Sequence, residues 1–478
     1  MKFRLDLALA TLLVAGSTFA QFPAHNATFV GQFDVPEFVN DVWGYVDPAT
    51  GKEYALLLTY SGTYVLDCSN PSAPVQRGFF ATPAGGSGNT WRDARTYGHY
   101  AYVVTEAARG IQIIDLANPD SPVLVRNFSP ATPSSWGHTH NICIDTQMGR
   151  VYCCGTAAGM HVFDLTANPT NPTFLGTYTT EYVHDMQAQD GYGYLAEINR
   201  GYFRIVDLTR PFTSWTLAVL PVTWCHNAWV TRDNRYVVAS SETTNQGVTL
   251  IDVANKSAPV PLITWKTGST SAIVHNAYMR DGLAHMSYYS EGLRTLDVTD
   301  PAHPVEVGWL DSSTFTSGYE GDWGCYPFQP SGLIYISDMD NGLVIVRPAA
   351  QSVIYGTESP GTGGVAPQLY TFGAAFTGSP RFALQAESAP AGATCVFFYG
   401  AAPLNLSYLG LTLLVDTTVG GTAAVAADAG GKASLGLPVP NSAALAGLQL
   451  YAQVFAQDAG GPLGFAASKG RRFEILVP

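Results

Sequence analysis

The stretch IQIIDLANPDSPV (residues 111–123) decides the fold. Five strand-forming residues end at Asp115, and the Asn-Pro-Asp that follows is turn chemistry, so the segment reads as a short β-strand stopped by a turn. The same pattern returns as TYVLDCSNPSAPV (63–75), MHVFDLTANPTNPT (160–173), YFRIVDLTRPF (202–212), VTLIDVANKSAPV (248–260) and LRTLDVTDPAHPV (293–305). The closing aspartates Asp67, Asp115, Asp164, Asp207, Asp252 and Asp297 are spaced by 48, 49, 43, 45 and 45 residues. A seventh copy, LVIVRP (343–348), has Arg347 at that place. Such an aspartate can accept the N–H groups of the turn it opens, so its recurrence is structural.

Each unit holds four β-rich runs. In the sixth they are VHNAYMRD (274–281), GLAHMSYY (282–289), GLRTLDV (292–298) and PVEVGWL (304–310). Four strands in a unit of mid-forties length predict a propeller blade. The seventh unit stops one strand short, and ATFVGQFD (27–34) supplies the missing outer-strand pattern. The expectation is an all-β chain: residues 21–350 as a seven-bladed β-propeller closed by its N-terminal strand, then a small β-sandwich. These segments resemble the LVIVD-repeat proteins, and the whole arrangement over about residues 24–350 is similar to the choice-of-anchor B family. The resemblance implies a secreted or surface-held bacterial or archaeal propeller and implies no particular reaction. Arg347, and the missing Asn-Pro after Asp207 and Asp252, depart from the pattern.

The 478 residues are 46% hydrophobic and only 13% charged, with a net charge of −13. Residues 21–351 carry nearly all of that charge, which excludes the basic footprint of a nucleic-acid binder. Residues 1–20 read as a secretory signal peptide, with Lys2 and Arg4 before an apolar run and cleavage expected after Ala20. No later apolar run is long enough for a transmembrane segment. The expected location is therefore extracellular or the cell surface. Seven cysteines read as small buried residues with one or two bridges among them, and Cys153 and Cys154 should face opposite ways. Residues 351–367 read as a Gly/Pro linker and 368–478 as the sandwich, an accessory or attachment domain. That last segment resembles C-terminal domains of secreted planctomycete-type bacterial proteins. Its turn residues Asp416, Asp428 and Asp458 read as solvated, with calcium as the other reading.

A second constellation opens each blade's first strand: Asn40-Asp41, Arg92-Asp93, His140-Asn141, His184-Asp185, His226-Asn227, His275-Asn276 and Gly321-Asp322. In a propeller this strand lines the channel, so the pairs should ring one mouth. The Asp and Asn positions suit hydrogen bonds between blades. His140, His184, His226 and His275 are candidate ligands for a divalent metal, calcium or zinc. Asp93, Asp185, Asp322, Glu106, Glu197, Glu242 and Glu291 are expected at the same mouth, with Trp91, Trp136 and Trp224 as an aromatic rim. The expected function is a binding module for a surface protein, peptide, glycan or metal, without assigned catalysis. The alternative is a metal-dependent hydrolase or lyase, although the chain has neither a GxSxG elbow nor an HExxH helix.

Overall fold

The computed structural model describes residues 22–83, 91–210 and 212–478, so the signal-peptide reading of residues 1–20 lies outside it. The described residues are all-β, with only short 3-10 turns besides strands. Among the described residues, seven antiparallel sheets follow one another up to Pro348. The first is Val39–Val46, Glu53–Thr59, Gly62–Asp67 and Val75–Ala81, in chain order from inside to outside. The other inner strands are Arg92–Tyr97, Asn141–Asp145, Asp185–Gln189, Cys225–Val230, Ala277–Arg280 and Asp322–Tyr326. Each packs on its neighbour's sheet, and the last packs on Val39–Val46.

The seventh sheet takes its fourth strand from Ala27–Phe33, which pairs with Gly342–Pro348 from Ala27 opposite Pro348 to Phe33 opposite Leu343. This strand behaves like any other outer strand. All seven third-to-fourth pairings carry a register shift, here between Phe29 and Gly31. A Cβ on Gly342 would meet the carbonyl of Phe33 at 2.3 Å, as one on Gly159 would meet that of Tyr178. Both glycines have positive φ, so this position has neither the space nor the backbone conformation for a side chain.

The repeated aspartates do what their spacing predicts. Asp67, Asp115, Asp164, Asp207, Asp252 and Asp297 each accept the backbone N–H two residues on, at 2.7–3.0 Å. Apolar residues of adjacent sheets fill the space between them. Tyr152, Cys154 and Met160, for example, share a core with Met186, Leu195 and Val206. All seven cysteines are buried and unbridged, contrary to the expected bridges. They act as small core residues, and Cys153 and Cys154, neighbours on the strand Arg150–Cys154, face different cores.

Beyond Pro348 two sheets face one another. One has the order Val353–Tyr355, Gly470–Glu474, Gln449–Gln457, Thr394–Tyr408, Leu411–Ala426, with Phe465–Ala467 beside Gln449–Gln457. The other is Gln368–Phe372, Ala383–Glu387, Ala433–Gly436. Phe382, Leu384 and Ala386 share a core with Phe397, Val454 and Phe473. The stretch 351–367, expected as a linker, is tied into this unit through Val353–Tyr355 and a bridge from Ser359 to Ala467. Asp416, Asp428 and Asp458 accept backbone N–H groups of their own turns, at 2.8–2.9 Å.

Candidate metal centre

Four second members of the opening pairs, Asp93, Asn141, Asp185 and Asn227, act as ties between sheets. Asp93 accepts from Ala94 N (2.7 Å) and, across to the third sheet, from Ile142 N (2.9 Å). Asn141 donates to the carbonyl of His184 (3.1 Å). Asp185 accepts from Asn227 Nδ2 (2.8 Å), and Asn227 Oδ1 accepts from Ala277 N (3.2 Å). Burial pushes Asp185 up to about 6, against the nearby charge of Arg95. Asp322 is fully buried and shares the Ser312 hydroxyl with Asp338, at 2.6 Å to each.

The first members form an arc. Ring centroids are 4.5 Å apart for His140 and His184, 4.2 Å for His184 and His226, and 4.3 Å for His226 and His275. Trp323 continues it at 4.2 Å from His275, and Trp91 stacks on Trp323 at 4.3 Å. His184 Nδ1 lies 3.0 Å from the carbonyl of His226, and His275 Nδ1 lies 2.5 Å from that of Trp323. A carbonyl only accepts, so both Nδ1 atoms carry the proton and both Nε2 atoms offer a lone pair. This backbone support is the arrangement that orients imidazoles in metal sites. Burial holds His275 down at about 3 and pushes His184 and His226 well below the ordinary value, so all three imidazoles are neutral.

Glu242 faces two of these rings. Its Oε2 is 3.5 Å from His226 Nε2 and its Oε1 is 3.9 Å from His275 Nε2. Tyr289 donates to Oε1 at 2.6 Å. Burial raises the Glu242 carboxyl to about 7. His275 Nε2 and His226 Nδ1 are buried and have no hydrogen-bond partner. Two groupings hold ligand atoms within 4.8 Å of one another: His140, His184 and His226, and His226, Glu242 and His275. Tetrahedral zinc at about 2.0–2.1 Å needs ligand atoms about 3.4 Å apart, so small side-chain movements close the second set. A set dominated by nitrogen suits zinc or a similar transition metal. Calcium takes six to eight oxygens, so these residues do not fit it.

The remaining expected residues divide. Glu106 joins the arc, 2.8 Å from His140 Nδ1. Glu197 does not: both its oxygens engage Arg204 (2.5 and 2.9 Å), which occupies its acceptors. Glu291 lies 3.3 Å from Arg294. Trp136 is 2% exposed among Phe128 and Phe163 and donates to Thr139, so it is a core residue and no part of a rim. Trp91 belongs to the Trp323 stack, and Trp224 is 53% exposed. Tyr289 escaped the sequence reading, because the repeat register pointed to Glu291 as the counterpart of Glu242.

The LVIVD repeat family model matches residues 88–129 and 332–346. Both stretches are similar to the LVIVD repeat. No curated protein matches it. Among solved structures it is similar to one titled "Structure of U3-55K", at 10% identity and TM-score 0.50, covering 67% of this chain and 98% of that one. A chain of "Crystal Structure of Mitotic Checkpoint Complex" aligns at 12% identity and TM-score 0.49, covering 73% and 98%. The likeness is one of fold, to WD40-like propellers. Among the described residues, no helix is long and apolar enough to cross a membrane.

Proposed function

We propose that this LVIVD-repeat chain is an exported binding module that holds a transition-metal ion, zinc by preference, between His226, Glu242 and His275. In this reading the repeats form a seven-bladed propeller closed by Ala27–Phe33, the chain belongs with the choice-of-anchor B proteins, and residues 368–478 are an accessory β-sandwich. The signal-peptide pattern of residues 1–20 supports export. The observation that carries the metal is the buried, partnerless Nε2 of His275, held by its Nδ1 bond and facing a carboxylate. Orphaned buried acceptors are rare, and a cation at the centre would satisfy this one together with Glu242 and His226. The ion would cross-link the fifth and sixth sheets and present a coordination position to a partner's histidine or carboxylate.

The test is elemental analysis of protein purified without chelators, beside a His226→Ala, His275→Ala double variant shown to be folded. Stoichiometric zinc, copper or nickel in the wild type and none in the variant is the expected result. Equal metal in both would defeat the site. Three protein ligands leave one position open, which also favours metal-assisted hydrolysis as a second reading. Turnover of ester or phosphodiester probes that needs the metal would promote that reading.

A further inference from the structure

Arg92 stands in the register that carries the histidines in later sheets, but its side chain turns the other way. It is 2% exposed and reaches the first sheet, where Nη2 donates to the carbonyl of Tyr60 (3.2 Å) and to Thr82 Oγ1. Its Nε and Nη1 are buried and have no hydrogen-bond partner. Among the described residues no carboxylate forms an ion pair with it. Glu37 is the acid whose charge it feels. That carboxylate is taken by Thr59 Oγ1 (2.9 Å), Ser61 N (2.9 Å) and Ser61 Oγ (2.7 Å). The neighbouring segment 84–90 reads AGGSGNT and contains no acid.

A second guanidinium lines the same cleft. Arg109 donates from Nη2 to the carbonyls of Pro130 and Pro133 (2.9 Å to the latter), and its Nε is also buried and partnerless. Gln112 donates to the carbonyl of Ala81 (2.8 Å) and leaves its Oε1 unfilled. Thr105 and Pro83 complete the walls. The cavity measures about 10 Å³, room for the oxygen end of one small group rather than a whole metabolite.

A buried charge without a counter-ion is costly, and a guanidinium does not escape the cost by losing its proton at neutral pH. Arg92 and the partly exposed Arg109 bring three unused N–H-bearing nitrogens to this cleft, in a chain whose net charge is negative. We propose that this cleft between the first and second sheets is a receptor for a single oxyanion group, a carboxylate or phosphate, held by Arg92 and Arg109. Gln112 supplies one acceptor for a hydroxyl beside the anionic oxygens.

The experiment titrates the full chain with acetate, with inorganic phosphate and with a blocked Gly-Glu-Gly peptide at constant ionic strength, followed by saturation-transfer NMR. The variants are Arg92→Gln, Arg109→Gln and, as a control, the exposed Arg126→Gln. We expect saturable binding of at least one probe, weakened about thirtyfold or more by Arg109→Gln and unchanged in the control. Binding of acetate or phosphate identifies a free anion. Binding of the peptide alone identifies a carboxylate carried by a protein partner. Should Arg92→Gln fail to fold, the partly exposed Arg109 decides. No saturable binding of any probe by the wild type, or equal binding by Arg109→Gln, overturns the proposal.

Discussion

Ser312 has one hydroxyl proton and two carboxylates, Asp322 and Asp338, each 2.6 Å away. It can donate to only one of them, so the other carboxyl must be protonated to donate in return. Burial first, then the charge of Asp338, pushes Asp322 well above its ordinary 3.8. The folded chain therefore keeps a proton that the unfolded chain releases once the pH passes 3.8. Stability falls as pH rises from there toward the folded value, by up to about 1.4 kcal/mol per pH unit. Asp322→Asn retains the hydrogen bond and removes the titration. Its urea-unfolding free energy should change less than the wild type's as the pH rises above 3.8. Equal slopes would show that the pair shares no proton. The same counting at single atoms underlies the metal proposal, where partners fix the Nδ1 protons of His184 and His275.

Between elements, the decisive seam is the one joining the last sheet to the first. Gly44, on the inner strand Val39–Val46, lies against Tyr326 so closely that a Cβ would sit 2.0 Å from the ring. A valine there cannot be accommodated by a small shift, because Tyr326 is itself packed on Trp43 and Phe328. Gly44→Val should cost about 3 kcal/mol in chemical denaturation. Pairing Gly44→Ala with Tyr326→Leu should recover most of the loss of Gly44→Ala alone, and independent, additive effects would mean that the two residues do not share this contact. Strands and turns were legible in the sequence because each repeat states them again: the closing aspartate and the turn after it recur. The histidine arc was legible for the same reason. What sequence did not show was direction. Trp136 turns into a core, Glu197 is taken by Arg204 on the adjacent strand, and Tyr289 reaches Glu242 from the next sheet. These outcomes depend on side-chain partners in neighbouring strands, which a repeat period does not encode.

On the scale of the molecule, the two halves share an interface rather than a tether. Leu283 and Val307 form one apolar cluster with Ala374, Phe376 and Leu476. Asp297 spans the boundary: one oxygen serves its own turn through Thr299, and the other accepts from Ala374 N at 2.7 Å. Arg232 pairs with Glu387, and Arg381 pairs with Asp300 at 3.1 Å. Asp297→Ala leaves Ala374 N unpaired in a buried position and should cost about 1–3 kcal/mol. Calorimetry should then resolve two transitions where the wild type gives one, and an unchanged single transition would mean that the boundary is held without Asp297. The pairing of Ala27–Phe33 with Gly342–Pro348 has a consequence in time. Ala27–Phe33 is synthesised roughly three hundred residues before its partner, a wait of about 15–60 s at about 5–20 residues per second. Until then Phe29 and Val30 have no sheet to join. The pairing spans a long sequence separation, a feature that slows folding in general. If the contact is absent from the transition state, it guards the folded protein against opening, since interactions formed late hold back unfolding most.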